Sequence, residues 1–301
     1  GVVALFADLL AAQKPIACEL DGELYVLPVY TDPAALADHD NQSLADAVRE
    51  RGGWLLRPLV PYGPNQTKVD GRVDWLCPPD LRHPLGTDDA GRDVLARILH
   101  ATRAAWGVGV GSMVLSTLLG VLLGAVAAYF GGRLDRALLT LIETLSAFPT
   151  FFLILALQGL LGTGSLLQLI VIIGVTRWTD LARVTRAEVL RIVNEDYVDA
   201  ARALGLSHLA ILRRHVMPGA AGAVLVAATF GVAGAILIES TLSFLGFGAP
   251  PPTASWGQLL TDAFANDGAT WLALFPGLAL FATLLSINLV GEGLRDAVES
   301  G

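Results

Sequence analysis

Lysine is almost missing from this chain: Lys14 and Lys68 are the only two. A P-loop needs glycine directly before its lysine, so that backbone amides and the ammonium meet the same phosphate. Gln13 and Thr67 precede the lysines here, which excludes nucleotide hydrolysis by that motif. Cysteine is as scarce, with only Cys18 and Cys77, so no disulfide framework can be built. A single bridge and two buried free thiols both stay open. Charge of either sign is thin: 16% of residues are Asp, Glu, Lys or Arg, against about 25% in an ordinary soluble domain. The net charge of −8 gives no basic excess of the kind a nucleic-acid binder carries.

What replaces charge is apolar surface. The 301 residues are 53% hydrophobic, with a mean hydropathy of +0.58. Ala104–Gly132, Thr144–Thr176, Val216–Ile238 and Gly268–Gly291 contain no Asp, Glu, Lys or Arg. A helix needs about 20 apolar residues to cross a bilayer, so the chain reads as an all-α integral membrane protein. The expected spans are 105–130, 137–160, 166–186, 219–239 and 270–292, within a core domain of 105–296. "LGTGS" (161–165) is a tight turn, and Pro149, lacking an N–H, bends or restarts a helix. Residues 1–10 read as the end of a truncated first transmembrane helix. A signal-peptide remnant is the weaker reading, because no basic n-region or A-x-A site is present.

Arginine sets the orientation. The 131–136 link holds Arg133 and Arg136, and 177–215 holds seven arginines, while 240–269 holds none. The first two are therefore expected in the cytoplasm, and 240–269 and 11–104 outside.

The 11–104 segment reads as a small external mixed α/β part with an amphipathic lead-in helix. Asp21-Gly22 between two β-prone runs signals a hairpin. A helix opened by Asp32-Pro33 and closed by Gly52-Gly53 follows. In "HPLGTDDAGRDVLARILHATR" (83–103), Thr87 or Asp88 can cap a helix that sets Val94, Leu95, Ile98 and Leu99 on one face. Asp93–Arg97 is available as an i,i+4 pair. The neighbouring arginines favour a solvated helix start over a metal site at the paired acids.

The most specific stretch is "NEDYVDAARALGLSHLAILRRHVMP" (194–218). Tyr197, Ala200, Ala201 and Leu204 form one helical stripe, and Gly205 stops that helix. Ser207 caps a second helix with Leu209, Leu212 and Val216 on one side, which Pro218 ends. The small residues suit close docking on another surface; a plain membrane-surface helix is the alternative. Along the spans, Glu143, Glu239 and Glu292 read as interfacial, with substrate binding as the second reading. Gln158 and Asn288 either line a path or hydrogen-bond between helices. Gln158, Glu239 and Asn288 are the candidate path residues.

Asp199-Ala200-Ala201, Gly205 four residues on and Pro218 thirteen after that resemble the "EAA" loop of bacterial ABC importer permeases. Asp199 stands where that family usually has Glu. The 83–103 segment and "ESTLSFLGFGAPPPTASWGQLL" (239–260) resemble the dipeptide and oligopeptide branch. "LPVY" and the large external insert look most like Yej-type permeases, associated with oligopeptides and microcin C. The resemblance implies a type I importer transmembrane domain, a MetI-like helical bundle, in the bacterial inner membrane. It implies that Asp199, Ala200, Ala201, Leu204, Gly205 and Pro218, in a coupling loop of 187–218, dock on a separate ATPase. That partner would bind ATP and Mg, and this chain no cofactor. The other implied partners are a homologous second permease subunit, a periplasmic solute-binding protein and a peptide substrate. An ion-coupled secondary carrier or channel is the competing class, which would place acids, histidines or broken helices at the bilayer midplane; a non-transporting membrane scaffold is another.

Overall fold

The computed structural model describes residues 1–31, 33, 36, 41–67, 74–162 and 164–300. The chain divides into two compact units, one of residues 1–106 and 240–281 and the other of residues 107–239 and 282–301.

In the first unit, β1 (Ala17–Leu20) and β2 (Glu23–Val26) form the expected hairpin, with Cys18 opposite Tyr25. Asp21 and Gly22 both take positive φ, 54° and 81°, the two-residue turn that matches strand twist. A third strand, β3 (Leu55–Leu56), pairs antiparallel on the other side of β1. Cys18 and Leu20 alternate onto one face and pack on Leu36, Leu44 and Val48. Both cysteines are free thiols, and burial pushes the Cys18 thiol up. After the single turn Pro28–Thr31 (α3 in chain order), the helix over Asn41–Arg51 (α4) closes at Gly52, whose amide and that of Gly53 both reach the Val48 carbonyl. Its expected opening at Asp32 lies outside the described residues.

Residues 1–10 form two four-residue helices, α1 (Val2–Leu5) and α2 (Ala7–Leu10), and the amides of Leu9 and Leu10 both return to the Phe6 carbonyl. Asp8 anchors the segment, accepting from Arg103 at 2.8 Å and from the Tyr30 hydroxyl at 2.8 Å.

The lead-in helix and the first expected span are one 37-residue helix, α5 (Val94–Phe130). Its cap is neither Thr87 nor Asp88. The Ala96 amide donates to Asp93 Oδ1 at 2.7 Å. Capping turns the Asp93 carboxylate back over the first turn, so it cannot reach forward to Arg97. It meets His83 Nδ1 instead, at 2.9 Å.

In the second unit, α6 (Gly132–Ser146) and α7 (Thr150–Leu161) meet at a 78° bend, with Pro149 at the break. Thus the expected 137–160 span is broken where proline removes a donor. Leu166–Ile192 is a continuous helix, α8, whose Ser165 hydroxyl accepts from the Gln168 amide. A glycine seam lets α5 close on α8: a Cβ at Gly120 or Gly124 would stand 2.8 or 2.6 Å from the backbone of Ala182. Small residues spaced by four allow such backbone approach in membranes.

The helices Val94–Phe130, His208–Phe244 and Thr270–Glu299 are each long and apolar enough to cross a membrane, and the bent pair makes a fourth if counted as one span. The expected third span, 166–186, is not among them. Its apolar run stops at Thr176, and Arg177, Asp180, Arg183 and Arg186 follow.

Candidate functional site

The elbow at 195–218 is built from local rules. Its first arm, α9 (Asp196–Ala203), ends where Gly205 adopts φ +76°. The Gly205 amide returns to the Arg202 carbonyl and the Leu206 amide to that of Ala201, which satisfies two carbonyls a helix end leaves bare. The Ser207 hydroxyl then accepts from the Ala210 amide at 3.4 Å to start α10 (His208–Ile211).

Tertiary packing decides which face is free. Val198, Ala201, Ile211 and Val216 are buried with Val189, Ile192 and Ala220 in one core cluster. Ala201 therefore fixes the elbow to the helical bundle and is not on a docking face. Tyr197, Asp199, Ala200, Leu204 and Gly205 point outward. On the second arm Leu209 also faces out and Ile211 takes the inward position. Leu204 and Leu209 are 82% and 74% exposed, an unusual state for two leucines five residues apart. Asp199 is held by Arg202 of its own helix at 2.8 Å, and the Tyr197 hydroxyl donates to the His215 carbonyl at 3.3 Å.

Pro218 does not end the second arm. A widened π turn over Leu212–Val216, with the Met217 amide on the Leu212 carbonyl, carries the helix into α11 (Met217–Phe244). One extra residue in the turn shifts the hydrogen-bond ladder and accommodates the missing proline N–H. The elbow is thus continuous with a membrane helix.

The candidate path residues separate. Gln158 on α7 is buried and accepts from Gln168 Nε2 at 3.3 Å, a bond between helices. Glu239 on α11 is enclosed by protein, 1% exposed. Asn288, Glu143 and Glu292 are exposed.

The charges of α8 are a site the residue-by-residue reading used only for orientation. Arg177 Nη1 donates to the Gly231 carbonyl at 3.1 Å, and a Cβ at Gly234 would stand 2.6 Å from that nitrogen. Its other nitrogen lies 3.6 Å from Asp180. Arg183 donates to the Ser146 hydroxyl at 2.5 Å. Arg186 grips Asp135 with two bonds of 2.6 and 2.8 Å. The available signal was their spacing of three residues directly after the apolar run of α8.

In the first unit, the acids expected at a solvated helix start are partly buried. Asp88 is fully enclosed; Oδ1 accepts from the amides of Ala90 and Arg92, and Oδ2 accepts from Arg92 Nε at 2.7 Å. Arg97 Nε lies 3.4 Å from the same oxygen. Asp88, Asp89 and Asp262 bring carboxylate oxygens within 4.8 Å of one another, a spacing that suits a cation. Two guanidiniums already supply the positive charge there. Burial and the neighbouring Asp89 raise the Asp262 carboxyl to about 6. Its acid form is therefore favoured in the folded state, a contribution fully present below about pH 3.8 and lost as pH rises through about 6. At about 1.36 kcal/mol per unit, ionised Asp262 costs about 3 kcal/mol at neutral pH. Asp262→Asn is expected to raise the thermal inactivation midpoint of the solubilised protein above about pH 6. The gain should vanish near pH 4; a gain constant with pH would contradict this account.

Residues 120–301 match the family described as binding-protein-dependent transport system inner membrane component. The chain belongs to that family. It is a multi-pass inner-membrane permease component of an ABC importer, and the elbow lies wholly inside the matched region. A putative peptide transport system permease protein of Brucella suis biovar 1 (strain 1330) is 40% identical over 81% of this chain and 82% of its own. The inner membrane ABC transporter permease protein YejE of Escherichia coli (strain K12) is 35% identical over 99% of this chain and 89% of its own. The fold is similar to that in inward facing conformations of the MetNI methionine ABC transporter. One crystal form, at 17% identity, covers 67% of this chain and 96% of that one with a TM-score of 0.56. That likeness shows the fold, a MetI-type helical permease domain. The match to YejE over nearly the whole chain includes the α/β segment that precedes α5, which lies outside the family's matched residues.

Proposed function

We propose that this permease forms part of the path by which short peptides cross the inner membrane, and that a separate ATPase drives it through the 195–218 elbow. The partners in this reading are a homologous second permease subunit, cytoplasmic ABC ATPase subunits that bind ATP and Mg, and a periplasmic solute-binding protein. The observation that carries it is the exposed face of Tyr197, Ala200, Leu204 and Leu209 on an elbow whose opposite face is locked into the bundle. Exposed apolar patches of this kind mark protein or membrane contacts, and the elbow's place inside the region matched to binding-protein-dependent transport permeases favours a protein partner. The peptide class is supported by the names of the Brucella suis and Escherichia coli relatives and by the dipeptide transport system permease protein of Bacillus subtilis (strain 168), 38% identical over 82% of this chain.

Mechanically, ATPase closure moves the elbow, and continuity through the π turn passes the motion to α11. ATP acts by biasing two arrangements of the helices through differential contacts. The test is reconstitution of the four kinds of subunit in proteoliposomes, with uptake of a labelled tripeptide and ATP hydrolysis measured together. Peptide and binding protein should stimulate hydrolysis several-fold, and uptake should require ATP. Uptake driven by an ion gradient without ATP would establish a secondary carrier instead.

A further inference from the structure

At the bend between α6 and α7, a cavity of about 460 Å³ opens against α8. Its size falls in the usual range of small-ligand sites, about 300–1,000 Å³. Leu153, Leu157, Val175 and Trp178 supply its apolar wall, and Asp180 and Arg183 supply charge. None of Gln158, Glu239 and Asn288 lines it.

We propose that this cavity is the site where the translocating substrate is held, and that it takes a short zwitterionic peptide by its two termini. The inference rests on the transport reading above and adds the site and the mode of recognition. Three features lead to it. Non-helical backbone inside a bilayer persists where it is covered by protein or lines a wet cavity, and broken helices border transported substrates. Here the break at 147–149 is one wall of the cavity. The cavity also draws a carboxylate and a guanidinium from successive turns of α8, in the charged stretch that follows the helix's apolar run. Residues three apart on a helix have Cβ atoms about 5–6 Å apart. The termini of an extended dipeptide stand about 7 Å apart, which the fanning side chains of Asp180 and Arg183 can span.

The chemistry then divides cleanly. The Asp180 carboxylate accepts from the peptide ammonium. The Arg183 guanidinium keeps one donor on Ser146 and turns others to the peptide carboxylate, a charge-assisted fork. Peptide side chains meet an apolar wall that reads no sequence. Specificity is for free termini and short length.

The experiment uses the reconstituted transporter with its binding protein at saturation, and dialanine, N-acetyl-dialanine and dialanine amide as probes. Arg183→Gln should cut the ratio of free-acid to amide uptake about ten-fold relative to wild type. Asp180→Asn should do the same for the ratio of free-amine to acetylated peptide, while Arg183→Lys keeps the wild-type ratio. The same binding protein serves every arm, so a changed ratio reports on this chain, and a purely structural role would lower all probes together. Unchanged ratios in Arg183→Gln and Asp180→Asn would overturn the inference while transport stands. Failure of the wild type to move any peptide would overturn the transport reading as well. Should either charge variant fail to assemble, Thr150→Cys on the cavity wall provides the second measurement. Dialanine should slow its alkylation, read by mass spectrometry, and absence of protection would overturn the proposal.

Discussion

Ala200→Glu combined with Leu204→Glu is expected to lower peptide uptake more than ten-fold while the permease still inserts in the membrane. Both side chains face outward from α9, so the change leaves the core of the bundle untouched. It places two charges where a partner surface must be desolvated. Truncating a central apolar anchor of an interface alone costs 2 kcal/mol or more, which is already about thirty-fold in affinity. Co-purification of the ATPase should fall with uptake, and hydrolysis should lose its stimulation by peptide. Ala201→Glu, one residue along, should behave differently. Ala201 is 4% exposed among Val198, Ile211 and Val216, so an unpaired carboxylate there destabilises the elbow itself. The signature is reduced membrane yield and protease cleavage near the elbow. Wild-type uptake in the Ala200/Leu204 variant would remove the elbow from the mechanism.

Asp88→Ala should have a large effect on stability in the first compact unit. The substitution strands the 1%-exposed Arg97, leaves Arg92 only the longer contacts to Asp89 and Asp262 at 3.8 and 4.0 Å, and frees the amides of Ala90 and Arg92. Breaking a buried pair by deleting one partner costs about 3–5 kcal/mol, because the remaining charge stays desolvated. Asp88→Asn keeps acceptors for the amides and should lose less. Arg97→Met in the Asp88→Ala background should recover part of the loss, since it removes the stranded charge. The midpoint of thermal inactivation in detergent reads all three. A fall in Asp88→Ala as small as that of an exposed carboxylate variant would mean that the network is slack.

Several features were legible from residue order because their causes are local. The Asp21-Gly22 turn depends on two residues that tolerate positive φ. The stop at Gly205 depends on one, and the break near Pro149 on a missing N–H. The membrane class follows from charge-free runs longer than a bilayer is thick. Where the reading erred, the cause lay in contacts between distant residues. Thr87 and Asp88 are good caps by type, but Asp93 sits at the turn that α5 begins. Asp88 looked solvated because its neighbours are charged; helix α12 (Trp256–Ala265) encloses that region, bringing Gln258 to 3.2 Å from Arg97.

The sequence by itself determined that this chain is a set of membrane helices with an elbow at 195–218 and without a P-loop. Hydropathy, helix-stop residues and motif spacing are properties of neighbours along the chain. Only the tertiary structure decided that Ala201 faces inward while Ala200 and Leu204 face outward, since the two faces of a short helix of small residues differ only in what packs against them. The same holds for α8. Its arginines marked a side of the membrane in the sequence, but the bend of α6 and α7 against it is what turns Asp180 and Arg183 into the rim of a cavity.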